Sequence, residues 1–292
     1  MDKNLYPLQF TPVATERPWG KENWLLADLG YIDSEVLGGW LDGNTLSELM
    51  QTYLEKMVGD DTFEYYGLQF PVSVKVIDFD GQTPVFVHAD DTVGEQRYDS
   101  LGRTALWKVV SAEPGAKALL GFRNKISAAE LYAAGQAGQL PALLNEVPVR
   151  AGDALLLEPG VPYAFSGKAK VIEIAEASSL VFDLTDPEDL VEAFDFVGLD
   201  GYKIPEQVGD DGRGFGDDGR GFGDDGSGGD TLHFRVRKAL GPEEGEASYV
   251  IHIAPDGSSL TLYPAEGDRG AFPPSGIFVL PGASTGGTPT EV

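Results

Sequence analysis

The chain has 292 residues, 42% of them hydrophobic, enough to build a buried core over about two domains and to set aside global disorder. With 47 acidic against 21 basic residues the formal charge is −26, a surface that repels nucleic acid and anionic lipid and excludes both as partners. Cysteine is absent, which excludes disulfides and thiolate chemistry. No apolar run approaches the ~20 residues that span a bilayer, and the opening Met1-Asp2-Lys3-Asn4 lacks the basic-then-apolar form of a signal peptide. The cytoplasm is therefore the expected location.

In chain order, the first predicted element is a helix over 45–58, where Leu46, Leu49, Met50, Tyr53, Leu54 and Met57 recur at helical spacing. Residues 70–77 alternate as a strand, with Val72, Val74 and Val76 on one face and Lys75 on the other. Further short strands are expected at 84–88, 105–111, 154–157 and 170–174, set apart by turn signals such as Gly81 and Glu113-Pro114-Gly115. Asp90-Asp91 reads as a solvated turn. Ser127-Ala128-Ala129-Glu130 has the form of a capping box and opens a second helix through Leu131 and Tyr132. Both helices are expected to pack rather than to act. Glu173 and Glu176, three apart at a strand end, are expected on opposite faces. Repeated short strands with turn punctuation predict a mainly β sandwich or jelly roll rather than a doubly wound sheet.

Residues 209–230 differ in kind. GDDGRGF stands there twice, then GDDGSGGD, with seven Asp against two Arg. Asp/Gly repeats also form calcium-loaded β-rolls, but these units lack the alternating apolar residue, and a flexible linker is the expectation. The predicted organisation is a main domain over 1–200, an acidic glycine-rich linker over 201–230 and a small β domain over 231–292.

Several segments, in order and at compatible spacing over residues 5–185, resemble the type I mannose-6-phosphate isomerases of the short bacterial kind. Glu16-Arg17-Pro18-Trp19-Gly20 stands at an E-x-x-W-G segment, and Phe70-Pro71 through Lys75-Val76-Ile77-Asp78 resembles F-P-L-L-V-K-x-I-D. Val85-Phe86-Val87-His88-Ala89-Asp90-Asp91 resembles V-Q-V-H-P-D-D, and Gly102-Arg103-Thr104-Ala105-Leu106-Trp107 resembles G-K-T-E-M-W. Ala112-Glu113-Pro114-Gly115-Ala116-Lys117 matches its counterpart directly, and Pro159-Gly160-Val161-Pro162-Tyr163-Ala164 closes the series. The resemblance implies a cupin-like jelly roll carrying a helical insertion, with a smaller cupin-like β domain behind it.

It also implies an aldose–ketose isomerase whose zinc is held by Gln, His, Glu and His. Here those positions are Phe86, His88, Ala105 and Tyr163, so three of the four are replaced and only His88 is retained. The family's catalytic arginine position is Asp183, which reverses the sign of the local charge. No metal site and no cofactor are expected. Lys75, Arg103 and Ser178 stand at retained or conservatively replaced positions and, with His88 and Tyr163, are the expected contacts to an anionic sugar. His233 and His252 match nothing in the family and are read as structural. The leading expectation is a catalytically degenerate family member that binds a sugar phosphate or related carbohydrate. The alternatives are an active isomerase with a relocated site and a structural partner of an active paralogue. What separates them is whether the interior is open or plugged by Phe86, Tyr163 and Trp107.

Overall fold

The structure, a computed structural model, describes residues 4–204, 231–238, 240 and 247–282. The repeat at 209–230, read as a linker, lies outside the described residues. The strands β1 (Val13–Arg17) and β2 (Gly20–Leu26) are neighbours in the sheet and meet at Pro18-Trp19. Glycine is required at position 20. Its φ is +144°, and a Cβ there would fall 2.0 Å from the Asp78 carbonyl oxygen.

Three helices follow: α1 (Leu46–Tyr53), α2 (Glu55–Val58) and α3 (Asp60–Tyr66). The single helix expected over 45–58 is thus two, broken at Leu54 with φ +53°. The apolar spacing crosses the break because Met50, Met57 and Val58 are all fully buried, and periodicity reports burial rather than an unbroken backbone. The chain continues through β3 (Val72–Gln82), β4 (Phe86–His88), α4 (Asp91–Tyr98), β5 (Ala105–Ala112) and β6 (Lys117–Phe122). Next come α5 (Ala128–Gln136), β7 (Leu144–Pro148), β8 (Ala154–Leu157), β9 (Tyr163–Glu176), β10 (Val181–Asp183) and α6 (Pro187–Ala193). The last elements are β11 (Phe234–Arg237), β12 (Val250–Ile253), β13 (Leu260–Tyr263) and β14 (Ile277–Pro281). The mainly β expectation holds. No helix among the described residues is long and apolar enough to cross a membrane.

Two expectations need correction. Asp90-Asp91 is a helix start, not a solvated turn: Asp90 caps α4 by accepting from Val93 N at 2.8 Å, and Asp91 accepts from Gly102 N at 2.8 Å. The strand expected over 170–174 is the end of β9, which runs from Tyr163 and keeps pairing partners through Gly167, a residue that reads locally as a turn. The second predicted helix is present as drawn, with Ser127 and Glu130 satisfying each other's backbone N–H groups.

Compactness divides the described residues into two units that do not follow chain order. One lies within Met1–Ala14, Asn23–Lys75 and Gln207–Val292, the other within Thr15–Glu22 and Val76–Glu206. In the first, β11-β14-β12-β13 form an antiparallel sheet, and Phe70 packs on Tyr249 with ring centroids 5.2 Å apart. His233 is buried there with Tyr66 as its hydrogen-bonding neighbour at 3.2 Å. In the second, β9 is the shared strand: its first residues pair with β4 and β6, and its later ones with β5. The two sides of β4 and its neighbours have different tasks. Val87, Leu119 and Phe182 join Leu131 of α5 and Leu190 of α6 in one apolar cluster. Phe86 and His88 alternate with Val87 and so face away from it, into the interior.

Candidate functional site

Strand register places Phe86 of β4 directly opposite Tyr163 of β9. The Tyr163 hydroxyl and His88 Nε2 share a hydrogen bond of 2.8 Å, and both residues are buried. Phe86 and Trp107 flank the Tyr163 ring at 5.9 and 5.6 Å. From Trp107 the aromatic packing continues through Phe79, which stacks on Phe165 at 4.2 Å and meets Trp19 at 5.5 Å. The interior of this unit is lined with rings.

Beside them lies a buried ionic group. Glu173 sits opposite Trp107 in the register of β5 and β9 and accepts from Trp107 Nε1 and from Arg103 Nη2, each at 2.7 Å. Arg103 Nη1 donates to the Glu176 and Ser178 carbonyl oxygens at 2.9 and 2.7 Å. Arg103 and Glu173 are 2% and 3% exposed, so their attraction is little screened by water. Glu176, on the other side of β9, accepts from Thr104 N at 2.8 Å, as the odd spacing from Glu173 requires. Burial, and after it the charge of Glu173, push the Tyr163 hydroxyl well above the usual tyrosine range, so it keeps its proton at neutral pH.

The structure brings four of the five expected ligand contacts into one buried neighbourhood: His88, Tyr163, Arg103 and Ser178. Their polar groups bond to the protein itself. Ser178 Oγ donates to the Leu101 carbonyl at 2.9 Å, and both Arg103 Nη groups are engaged as described. Lys75 lies in the first unit, its Nζ 4.8 Å from the ring centre of Trp24. Asp183, which the resemblance matches to the family's arginine, accepts from the Thr185 N and hydroxyl at 2.8 and 2.6 Å and lies opposite Phe86 in β10. Ala105 is fully buried between Leu157 and Ala175. Sequence reasoning missed Glu173 as the centre of the ionic group. Its signal was a lone carboxylate at an inward position of the apolar run Val171-Ile172-Glu173-Ile174.

Comparison with known proteins points one way. The chain is 28% identical over 199 residues to the mannose-6-phosphate isomerase ManA of Bacillus subtilis, covering 62% of this chain and 61% of that one. Against a mannose-6-phosphate isomerase of Streptococcus mutans it is 31% identical over 117 residues, 40% of this chain and 37% of that one. The crystal structure of the mannose 6-phosphate isomerase from Bacillus subtilis superposes with a TM-score of 0.67 at 18% identity, covering 94% of this chain and 97% of that one. The chain is similar to mannose-6-phosphate isomerases in sequence and shares their fold. No protein-family profile matches it. The aligned stretch spans less than two thirds of the curated relatives' own length, 62% of a second Bacillus subtilis protein and 61% of ManA. The fold is the family's cupin-like one, with the smaller C-terminal sheet also present.

The zinc that the resemblance implies does not fit the residues at the four positions matched to its ligands, Phe86, His88, Ala105 and Tyr163. A catalytic zinc needs three protein ligands and an open position. Phe86 presents a phenyl ring, Ala105 a methyl group, and Tyr163 a hydroxyl that retains its proton and is bonded to His88. One imidazole is not a centre.

Proposed function

We propose that this chain is a catalytically silent member of the mannose-6-phosphate isomerase family, kept for binding a sugar phosphate or related carbohydrate. The observation that carries the reading is the Tyr163–His88 hydrogen bond, a protonated phenol held at a position that the resemblance matches to a metal ligand. Aldose–ketose isomerisation moves a proton from carbon beside a carbonyl and builds negative charge on two oxygens. Glu173 is a carboxylate beside the aromatic centre, but both its oxygens are engaged and it is buried. Positive charge is no better supplied: Arg103 is paired with Glu173, and Asp183 is itself an anion. Lys75, which stands at the family's strand lysine in the resemblance, is the cation this reading assigns to a ligand phosphate.

The test is a coupled assay on mannose 6-phosphate with added zinc, beside a thermal-shift series with sugar phosphates. The expected outcome is no turnover and a rise in melting temperature that Lys75→Ala abolishes. Turnover that survives His88→Ala would mean a relocated active site. Neither turnover nor shift would favour a structural or partner role.

A further inference from the structure

The mismatch between the family's metal and this centre concerns side chains, and the backbone around them is a separate matter. Register sets positions 86 and 163 face to face. Position 88 lies two residues on, on the same side of β4, and its Nε2 reaches the position 163 side chain at 2.8 Å. The start of β5 is drawn up to the end of β4 by the Arg103 N to Ala89 O bond of 2.9 Å. Ala105 and Trp107 share a face of β5 by strand alternation. Trp107 reaches Glu173 and packs against Tyr163, so Ala105 points into the same interior.

We infer that Tyr163 and His88 form a metal-free cross-link between β9 and β4 in the place of a metal, on a backbone that still presents positions 86, 88, 105 and 163 to one point. The side chains alone remove metal binding. The phenol fills the space, and the imidazole it faces is left with a partner rather than an empty coordination position. Because a metal site needs side chains that converge, a chain whose strands had drifted would show no such short contact across β4 and β9. This inference rests on the filled centre described above, but the two fail separately. Turnover by the wild-type chain would sink the proposed function and leave the retained geometry untouched.

The variant carrying Phe86→Gln, Ala105→Glu and Tyr163→His tests it, by zinc titration calorimetry and by melting with and without chelator. The expected result is about one zinc per chain, the stoichiometry of a single four-ligand centre, and a melting temperature that drops on chelation. Adding His88→Ala should remove both effects, and the wild-type chain should show neither. A variant with native near-ultraviolet circular dichroism that takes up no zinc would overturn the inference. If the triple variant does not fold, Phe86→Gln with Tyr163→His leaves the tight packing at Ala105 intact and supplies three donors with His88. Visible absorption of added cobalt(II) then decides: tetrahedral bands support the retained geometry, and a folded protein without them refutes it.

Discussion

At the residue scale the interior is governed by what a buried polar atom requires. Tyr163 and His88 satisfy each other, and Glu173 satisfies Trp107 and Arg103. Deleting one partner leaves the other desolvated, which costs more than the bond itself contributes. Tyr163→Phe is therefore expected to lower stability by about 1–3 kcal/mol, read by urea unfolding at pH 7. The same residue shapes the alkaline limb. The folded state holds the Tyr163 proton more tightly than the unfolded chain, so its contribution is complete below the ordinary tyrosine range, about pH 10, and is lost as pH rises above it. Tyr249 is shifted in the same direction by burial, so Tyr163→Phe should flatten the alkaline fall in part. Equal stability of variant and wild type at pH 7 would show that the cross-link contributes nothing.

At the element scale, helix starts carry information that strands lack. Ser127 and Glu130 form a reciprocal cap, and Thr45 and Glu48 form a second one that opens α1. Ser127→Ala should cost about 0.5–2 kcal/mol without touching the interior of the sheets. Urea midpoints of the variant alone and combined with Tyr163→Phe check this, and additive losses are expected because the two sites share no partner. Strands depend on their neighbours instead. The 14 residues of β9 include Gly167 at φ +109°, yet pairing with β6 on one side of it and β5 on the other holds the strand through.

For the whole molecule the dominant fact is a charge of −26. Like charges spread over the surface repel one another, and the repulsion is relieved by unfolding or by salt. The ion pairs among the described residues are mostly exposed, such as Lys125–Asp200 and Lys168–Asp80, and contribute little against it. The melting temperature is accordingly expected to rise between about 0.05 and 1 M potassium chloride, as the screening length falls from over 10 Å to about 3 Å. A flat or falling salt dependence by differential scanning fluorimetry would show that the acidic surface is not under strain.

The sequence by itself determined the residue types, and with them the exclusions. Without cysteine there is no thiolate, and a phenyl ring and a methyl group at positions 86 and 105 supply no metal donors in any fold. It also determined the mainly β class and the helix opening at Ser127, because alternation and capping are written in neighbouring residues. Only the tertiary structure decided where the charges went. Arg103 meets Glu173 across a separation of 70 residues and Tyr163 meets His88 across 75, and both contacts depend on how β4, β5 and β9 are set against one another. Local propensity does not encode that register. A one-residue slip of β9 would turn Tyr163 and Glu173 to its other face and dissolve both contacts, so the filled centre exists only once the strands are paired.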